Sequence, residues 1–352
     1  MSTSDSQVQK EQRKEILIPM FEYINGSECF YMVGGPSMGK TRLLDFLMRE
    51  EVQKNYLKEE GLETWLVRVD MNRLAVQNEA WAVFELLLNS LIVELNGHEN
   101  VEAHREDFLD MDFKVLEKKD LPLALRNFEL AVNILCQGNN IKLCFLLDEF
   151  DKTYRDLTPQ TFSQLRAIRD SNKYRVLYGI FLRELPERLR PLPDPDNEDF
   201  YELISRNVLG LGPYSKTDTV EIIRKLEKRR NFDMTSFQRE RLYEASGGHI
   251  GLVQVVLSII LENPQYPQRL GTQGWLEWLS EHPMSVDESR KIWKGISKDE
   301  QDGLLAFIKG NYGVIPEPVS KLLLAKGLIR RTSSNSPCLF SPIFDHYVRS
   351  LG

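Results

Sequence analysis

The chain has 352 residues, more than one hydrophobic core usually sustains, so two or three domains are expected. Its apolar content of 42% suffices for real cores, no apolar run approaches a membrane span, and no leader peptide is expected. A formal charge of −7 excludes a protein whose whole surface binds nucleic acid and leaves room only for a local basic patch. Four scattered cysteines, Cys29, Cys136, Cys144 and Cys338, suit reduced thiols and no metal site, and a cytoplasmic protein is expected.

Residues 1–14 read as a polar, loosely held tail, and Leu17 to Ile24 as a short amphipathic segment. Cys29 to Val33 is a β-prone run predicting a buried strand, and Arg42 to Met48 continues with helical periodicity. Between them Gly34, Gly35, Pro36, Ser37, Met38, Gly39, Lys40 and Thr41 spell G-x-x-x-x-G-K-T, the loop that holds the phosphates of ATP or GTP. Glycines let the backbone turn through positive φ and aim successive N–H groups at a polyanion. Lys40 is expected on the β/γ-phosphates, Thr41 on Mg²⁺, and the following helix aims its positive end at the same anion.

Thr64 to Asp70 predicts the second strand and Ala80 to Leu95 a strongly apolar helix. Gly97 to Asp112 is acidic and reads as an irregular surface excursion. A helix over Leu121 to Cys136 leads to Ile141 to Leu147, an apolar strand that runs into Asp148 and Glu149. Asp148 is placed to support the metal through water, and Glu149 to orient or deprotonate an attacking water. Leu157 to Asn172 predicts a helix carrying Arg166 and Arg169, either an arginine finger for a neighbouring subunit or a solvated face. The strand from Arg175 to Leu182 ends at Arg183, which either contacts the γ-phosphate or pairs with Glu184 or Glu187. Pro191 to Asn197 marks a loop.

Periodicity is helical from Ser215 to about Asn263, and the stretch to Val286, punctuated by Pro264, Pro267, Gly271, Gly274 and Pro283, reads as a connector. The last segment has the pattern of a winged helix: a helix over Lys298 to Lys309, a short one over Pro318 to Lys326, and two strands around Thr332 to Ser336. Ten Lys or Arg against seven Asp or Glu make it +3, against −10 for the rest of the chain. Arg330 and Arg331 on the wing could meet DNA phosphates, but the candidate recognition helix offers only Lys321 and Lys326 and nothing that reads base edges.

Residues 15 to 350 resemble the AAA+-related STAND ATPases, signalling NTPases of the P-loop class. The resemblance rests on the glycine loop, the strand ending in Asp148 and Glu149, the strand ending in Arg183, Leu209 to Ser215, and Ala245 to Leu252. In the family the last of these is a glycine-rich helix start in the lid, usually with proline where this chain has Ile250. The resemblance implies an α/β fold: a P-loop NTPase parallel sheet of AAA+/STAND type over 15–200, a small helical lid over 201–263, a connector over 264–285 and a C-terminal winged-helix domain over 286–352. It implies ATP or ADP with Mg²⁺ held by Gly34 to Thr41, Arg42, Pro213 and His249, with Leu17 to Ile24 bordering the adenine. Glu149, Lys40 and Arg183 are then the expected catalytic residues, and Thr41 and Asp148 the expected metal supports. The expected function is an ATPase switch coupling nucleotide state to the lid, the winged helix and a separately encoded protein partner or a second copy, with no membrane. The alternatives are a DNA-associated AAA+ ATPase that uses the winged helix on duplex DNA, and a scaffold that binds ATP with negligible turnover.

Overall fold

The computed structural model describes residues 13–58, 61–76, 79–96, 98, 101–190, 195–263, 272–331 and 335–352, with the backbone alone at 195–199 and 272–273. The expected tail up to residue 12, the loop residues 191–194, the connector residues 264–271 and the wing residues 332–334 lie outside the described residues. The chain divides into two compact units, one of Met1–Ile16, Val33–Lys40 and Gly210–Gly352, the other of Leu17–Met32 and Thr41–Leu209.

Helix α1 (Lys14–Asn25) leads to β1 (Phe30–Gly34), α2 (Lys40–Leu47), α3 (Glu50–Tyr56), β2 (Glu63–Asp70) and α4 (Ala80–Leu95). Then come α5 (Arg105–Lys118), α6 (Leu121–Asn133), β3 (Ile141–Asp148), α7 (Asp151–Asp156), α8 (Pro159–Ser171) and β4 (Val176–Leu182). Helices α9 (Pro186–Leu189) and α10 (Pro195–Ile204) precede β5 (Val208–Leu211). The strands form one five-stranded parallel sheet in the order β2-β3-β4-β1-β5. Its register runs from Glu63 opposite Ile141 to Asp70 opposite Asp148, and from Leu143 opposite Val176 to Leu147 opposite Ile180. Every residue of β3 and β4 is buried, which is why both read as near-continuous apolar runs, broken in β3 only by Lys142 before its closing Asp148, rather than as alternating ones. A Cβ at Gly179 in β4 would fall 2.5 Å from Phe30 Cζ, so the glycine is what leaves room for the Phe30 ring. A parallel sheet sends its carboxyl ends to one edge. β1 ends there in the glycine loop, β3 in Asp148 and Glu149, and β4 in Arg183.

Several local expectations are corrected. The acidic stretch is a helix from Arg105 onward: Phe108, Asp112 and Val115 turn inward at i, i+4 and i+7 while Glu106 and Asp107 occupy the first turn, where the helix dipole favours negative charge. Helix α6 stops at Asn133 and Ile134–Gly138 form a π turn. The helix expected over Leu157 to Asn172 runs from Pro159 to Ser171 with Thr158 as its cap, and a separate short helix, Asp151–Asp156, that was not expected precedes it. Pro195 opens α10 rather than extending a loop, since the first helical position needs no N–H. Arg13 and Lys14 do not belong to a tail, for Arg13 is 3% exposed and Lys14 begins α1.

From residue 210 onward the first unit is helical: α11 (Lys216–Arg230), α12 (Ser236–Ser246), α13 (Ile250–Glu262), α14 (Thr272–Glu281), α15 (Pro283–Lys294), α16 (Lys298–Ile308), α17 (Glu317–Ala325) and α18 (Pro342–Leu351), with an antiparallel pair β6 (Ile329–Arg331) and β7 (Pro337–Leu339) before α18. Two helices thus occupy most of what reads as a connector, α15 starting with Pro283 at its first turn. Gly247, at φ 62°, closes α12, and a Cβ there would lie 1.9 Å from the Phe340 carbonyl oxygen, so this turn tolerates glycine alone.

Candidate phosphate-binding site

Within the second unit the carboxyl ends of β3 and β4 carry a small network. Asp148 is 3% exposed and its Oδ1 accepts from Glu149 N at 3.0 Å. Its Oδ2 lies 3.5 Å from Arg68 Nη2, while Arg68 Nη1 donates to Asp45 at 2.6 Å. Glu149 takes a left-handed φ of 53°, an uncommon state for a residue with a Cβ and one that clusters at functional sites. That turn swings its carboxylate toward Arg183, whose Nη2 donates to Oε2 at 2.7 Å. Arg183 thus pairs with Glu149, neither Glu184 nor Glu187 being its partner; Glu184 engages Arg188 instead. The amides of Arg183 and Glu184 both donate to Asp151 Oδ1, at 2.7 and 3.1 Å, which fixes the turn after β4. Arg166 pairs with Asp170 and Glu202, and Arg169 with Asp170. Thr41 and Arg42, in the first turn of α2, are exposed.

Within the first unit lies the loop itself. Ser37 at φ 56° and Gly39 at φ 88° take left-handed conformations on either side of Met38, the alternation that lets successive N–H groups converge on an anion. Lys40 is 7% exposed and its Nζ reaches the Gly34 carbonyl at 3.4 Å. A Cβ on Gly39 would fall 2.8 Å from Tyr214 Oη, and one on Gly34 3.0 Å from Leu211 Cβ. Pro36 packs on the other side, where a Cβ on Gly295 would meet its Cγ at 2.4 Å. Pro213 abuts Gly327. His249 is fully buried and caps α13, its Nδ1 accepting from Leu252 N at 3.4 Å. Burial lowers its pKa to about 4, against the Pro36 carbonyl and the Glu288 carboxylate, which both favour the charged ring. The imidazole is therefore neutral at pH 7, and its Nε2 completes no hydrogen bond of full geometry.

These residues fit a phosphate chain: a loop with two left-handed residues, a buried ammonium, and walls that leave little room for a side chain at Gly34 and Gly39. Among the described residues no group of three His, Cys, Asp or Glu side chains could hold a metal by itself, so Mg²⁺ here would depend on phosphate oxygens, a hydroxyl and water. Sequence reasoning missed Arg68, Tyr214 and Arg13 as neighbours of the expected site residues. Arg68 was signalled by being the sole charge between Trp65 and Val69; the others had no local signal.

No protein-family profile matches the sequence, and no curated protein matches it. Solved structures do. A Walker-type ATPase of Pyrococcus abyssi is 16% identical with a TM-score of 0.51, over 96% of this chain and 95% of that one. The ORC2 protein of Aeropyrum pernix in its ADP form is 14% identical with a TM-score of 0.51, over 95% of this chain and 90% of that one. No helix among the described residues is long and apolar enough to cross a membrane. At these identities the likeness is one of fold, a parallel sheet with helices that matches the α/β fold of the P-loop NTPases.

Proposed function

We propose that the protein is an ATP-binding and ATP-hydrolysing switch of STAND/AAA+ type, in which nucleotide state sets the placement of the helical lid and of a C-terminal winged helix toward a protein partner. One observation carries this reading: Val33–Lys40 belongs to the same compact unit as Gly210–Gly352. The loop that would feel a γ-phosphate is packed against Tyr214, Gly295 and Leu211, so a change at the loop has direct contacts through which to shift the C-terminal helices. Lys40 and the loop amides hold the phosphates, and Thr41 with Asp148 supports the metal. Glu149 orients water once it leaves Arg183, an exchange that costs little because the Arg183 side chain is 56% exposed. ATP with Mg²⁺ supplies the phosphoryl group whose presence or loss is the signal.

Duplex DNA is the competing partner, and the burial pattern disfavours it. Lys326, half of the cationic content of the candidate recognition helix, is 2% exposed and holds Glu300 at 2.7 Å. Lys321, the other half, pairs with Glu317. Calorimetry is the test of the nucleotide reading: Mg²⁺–ATP binds the parent, and Lys40→Ala weakens it at least about tenfold. Fluorescence anisotropy with duplex DNA separates the two partners. Affinity no better than about 10⁻⁴ to 10⁻⁶ M at physiological salt is expected, and submicromolar, ATP-dependent binding would replace the switch by a DNA-associated ATPase.

A further inference from the structure

The phosphate loop is held from behind by a residue outside its motif. Arg13 sits at φ 57°, 3% exposed, just before α1. Its Nη2 donates to the Met38 carbonyl at 2.6 Å and its Nη1 to the Gly212 carbonyl at 2.9 Å. The guanidinium lies 3.6 Å from the centre of the Tyr214 ring, and the Arg13 amide donates to Asp218 Oδ2 at 2.9 Å. A left-handed, buried arginine is costly, and here several contacts converge to hold it.

A planar trans peptide points its C=O and N–H in opposite directions. The Met38 carbonyl and the Gly39 amide belong to one such plane, and it could turn over about ψ of Met38 and φ of Gly39, the latter held left-handed at 88°. We propose that Arg13 is a positioning residue for the anion site: by gripping the Met38 oxygen it aims the Gly39 N–H away from itself, toward the side where the phosphate binds. The two-pronged grip needs a fork. A lysine reaches one carbonyl, cannot span Met38 and Gly212 together, and stacks less well on Tyr214. This inference rests on the loop being the nucleotide site.

The experiment is calorimetry on the full chain with Mg²⁺–ATP and, separately, with inorganic tripolyphosphate, which carries no base. Parent, Arg13→Ala, Arg13→Lys and Asp218→Asn are compared, each checked for folding by circular dichroism. Arg13→Ala is expected to lose about tenfold in affinity for both ligands, and Arg13→Lys to recover only part of it. Asp218→Asn, which perturbs the backbone tether but leaves the guanidinium in place, should stay within about twofold of the parent. Equal affinity of Arg13→Ala and parent would overturn the proposal. So would a loss confined to ATP, which would move the role of Arg13 to the base, or a loss in Asp218→Asn as large as in Arg13→Ala, which would mean general loosening. If Arg13→Ala does not fold, Arg13→Lys decides: parental affinity for tripolyphosphate refutes the fork. A parent that binds neither ligand refutes the nucleotide reading itself, a separate outcome.

Discussion

Replacing Lys326 by Met tests whether this lysine belongs to the interior or to a DNA-reading surface. Lys326 Nζ lies 2.7 Å from Glu300 Oε1, with side-chain exposures of 2% and 1%. At that separation the attraction is about 6 kcal/mol for an effective dielectric constant of about 20, most of it spent on desolvating both ions. Methionine keeps the volume and removes the charge, leaving a buried carboxylate whose Oε2 still accepts from Ser297 N at 2.9 Å. Stranding one member of a buried pair costs about 3–5 kcal/mol. Urea denaturation followed by tryptophan fluorescence measures it, with Lys326→Met/Glu300→Gln expected to recover much of the loss. A change below about 0.5 kcal/mol for Lys326→Met, together with weakened duplex binding, would refute the argument and make Lys326 a surface contact.

Glu149→Gln should keep ATP binding and slow phosphate release on the order of a hundredfold, the scale of a positioned base; equal release rates in mutant and parent would place the base elsewhere. Gly39→Ala meets both a φ of 88° and Tyr214 Oη at 2.8 Å, and the strain, about 1–3 kcal/mol, should appear in calorimetry as a loss of ATP affinity of about fivefold to a hundredfold. His249 is kept neutral by burial, with its pKa lowered to about 4. The unfolded chain, whose histidines titrate near 6.5, therefore takes up more protons between those values, and stability falls as pH drops through that window. The full contribution is about 3 kcal/mol, and His249→Gln should flatten that part of the stability curve. Glu85 and Glu94, both raised to about 7 by burial, act the other way and lose stability as pH rises through 7, so parent and variant must be compared at each pH. A pH-stability difference curve without slope between 4 and 6.5 would refute the buried-neutral reading.

The sequence by itself determined the parallel sheet and the three strand ends that matter. The near-continuous apolar runs of β3 and β4 are what strands covered on both faces require, and the G-x-x-x-x-G-K-T spacing puts a glycine at Gly39, where φ is 88°. Helix starts were legible at Ser215 and Lys298, where Ser215 and Ser297 are the caps. Helix α5 was obscured because its acidic residues outnumber the inward-facing ones, and composition spoke louder than the i, i+4, i+7 spacing. Which charge meets which was decided only by tertiary structure. In the sequence Arg183 had Glu184 and Glu187 within reach, and the structure pairs it instead with Glu149, 34 positions earlier, whose left-handed turn brings it near. Lys326 read as a recognition-helix cation and is interior because Glu300, 26 positions earlier, faces it. Arg13 finds its partners 25 and 199 positions away, at Met38 and Gly212. Backbone periodicity and turn chemistry are local and can be read along the chain; the cost of burying a charge depends on its neighbours in space, and those exist only once the chain has folded.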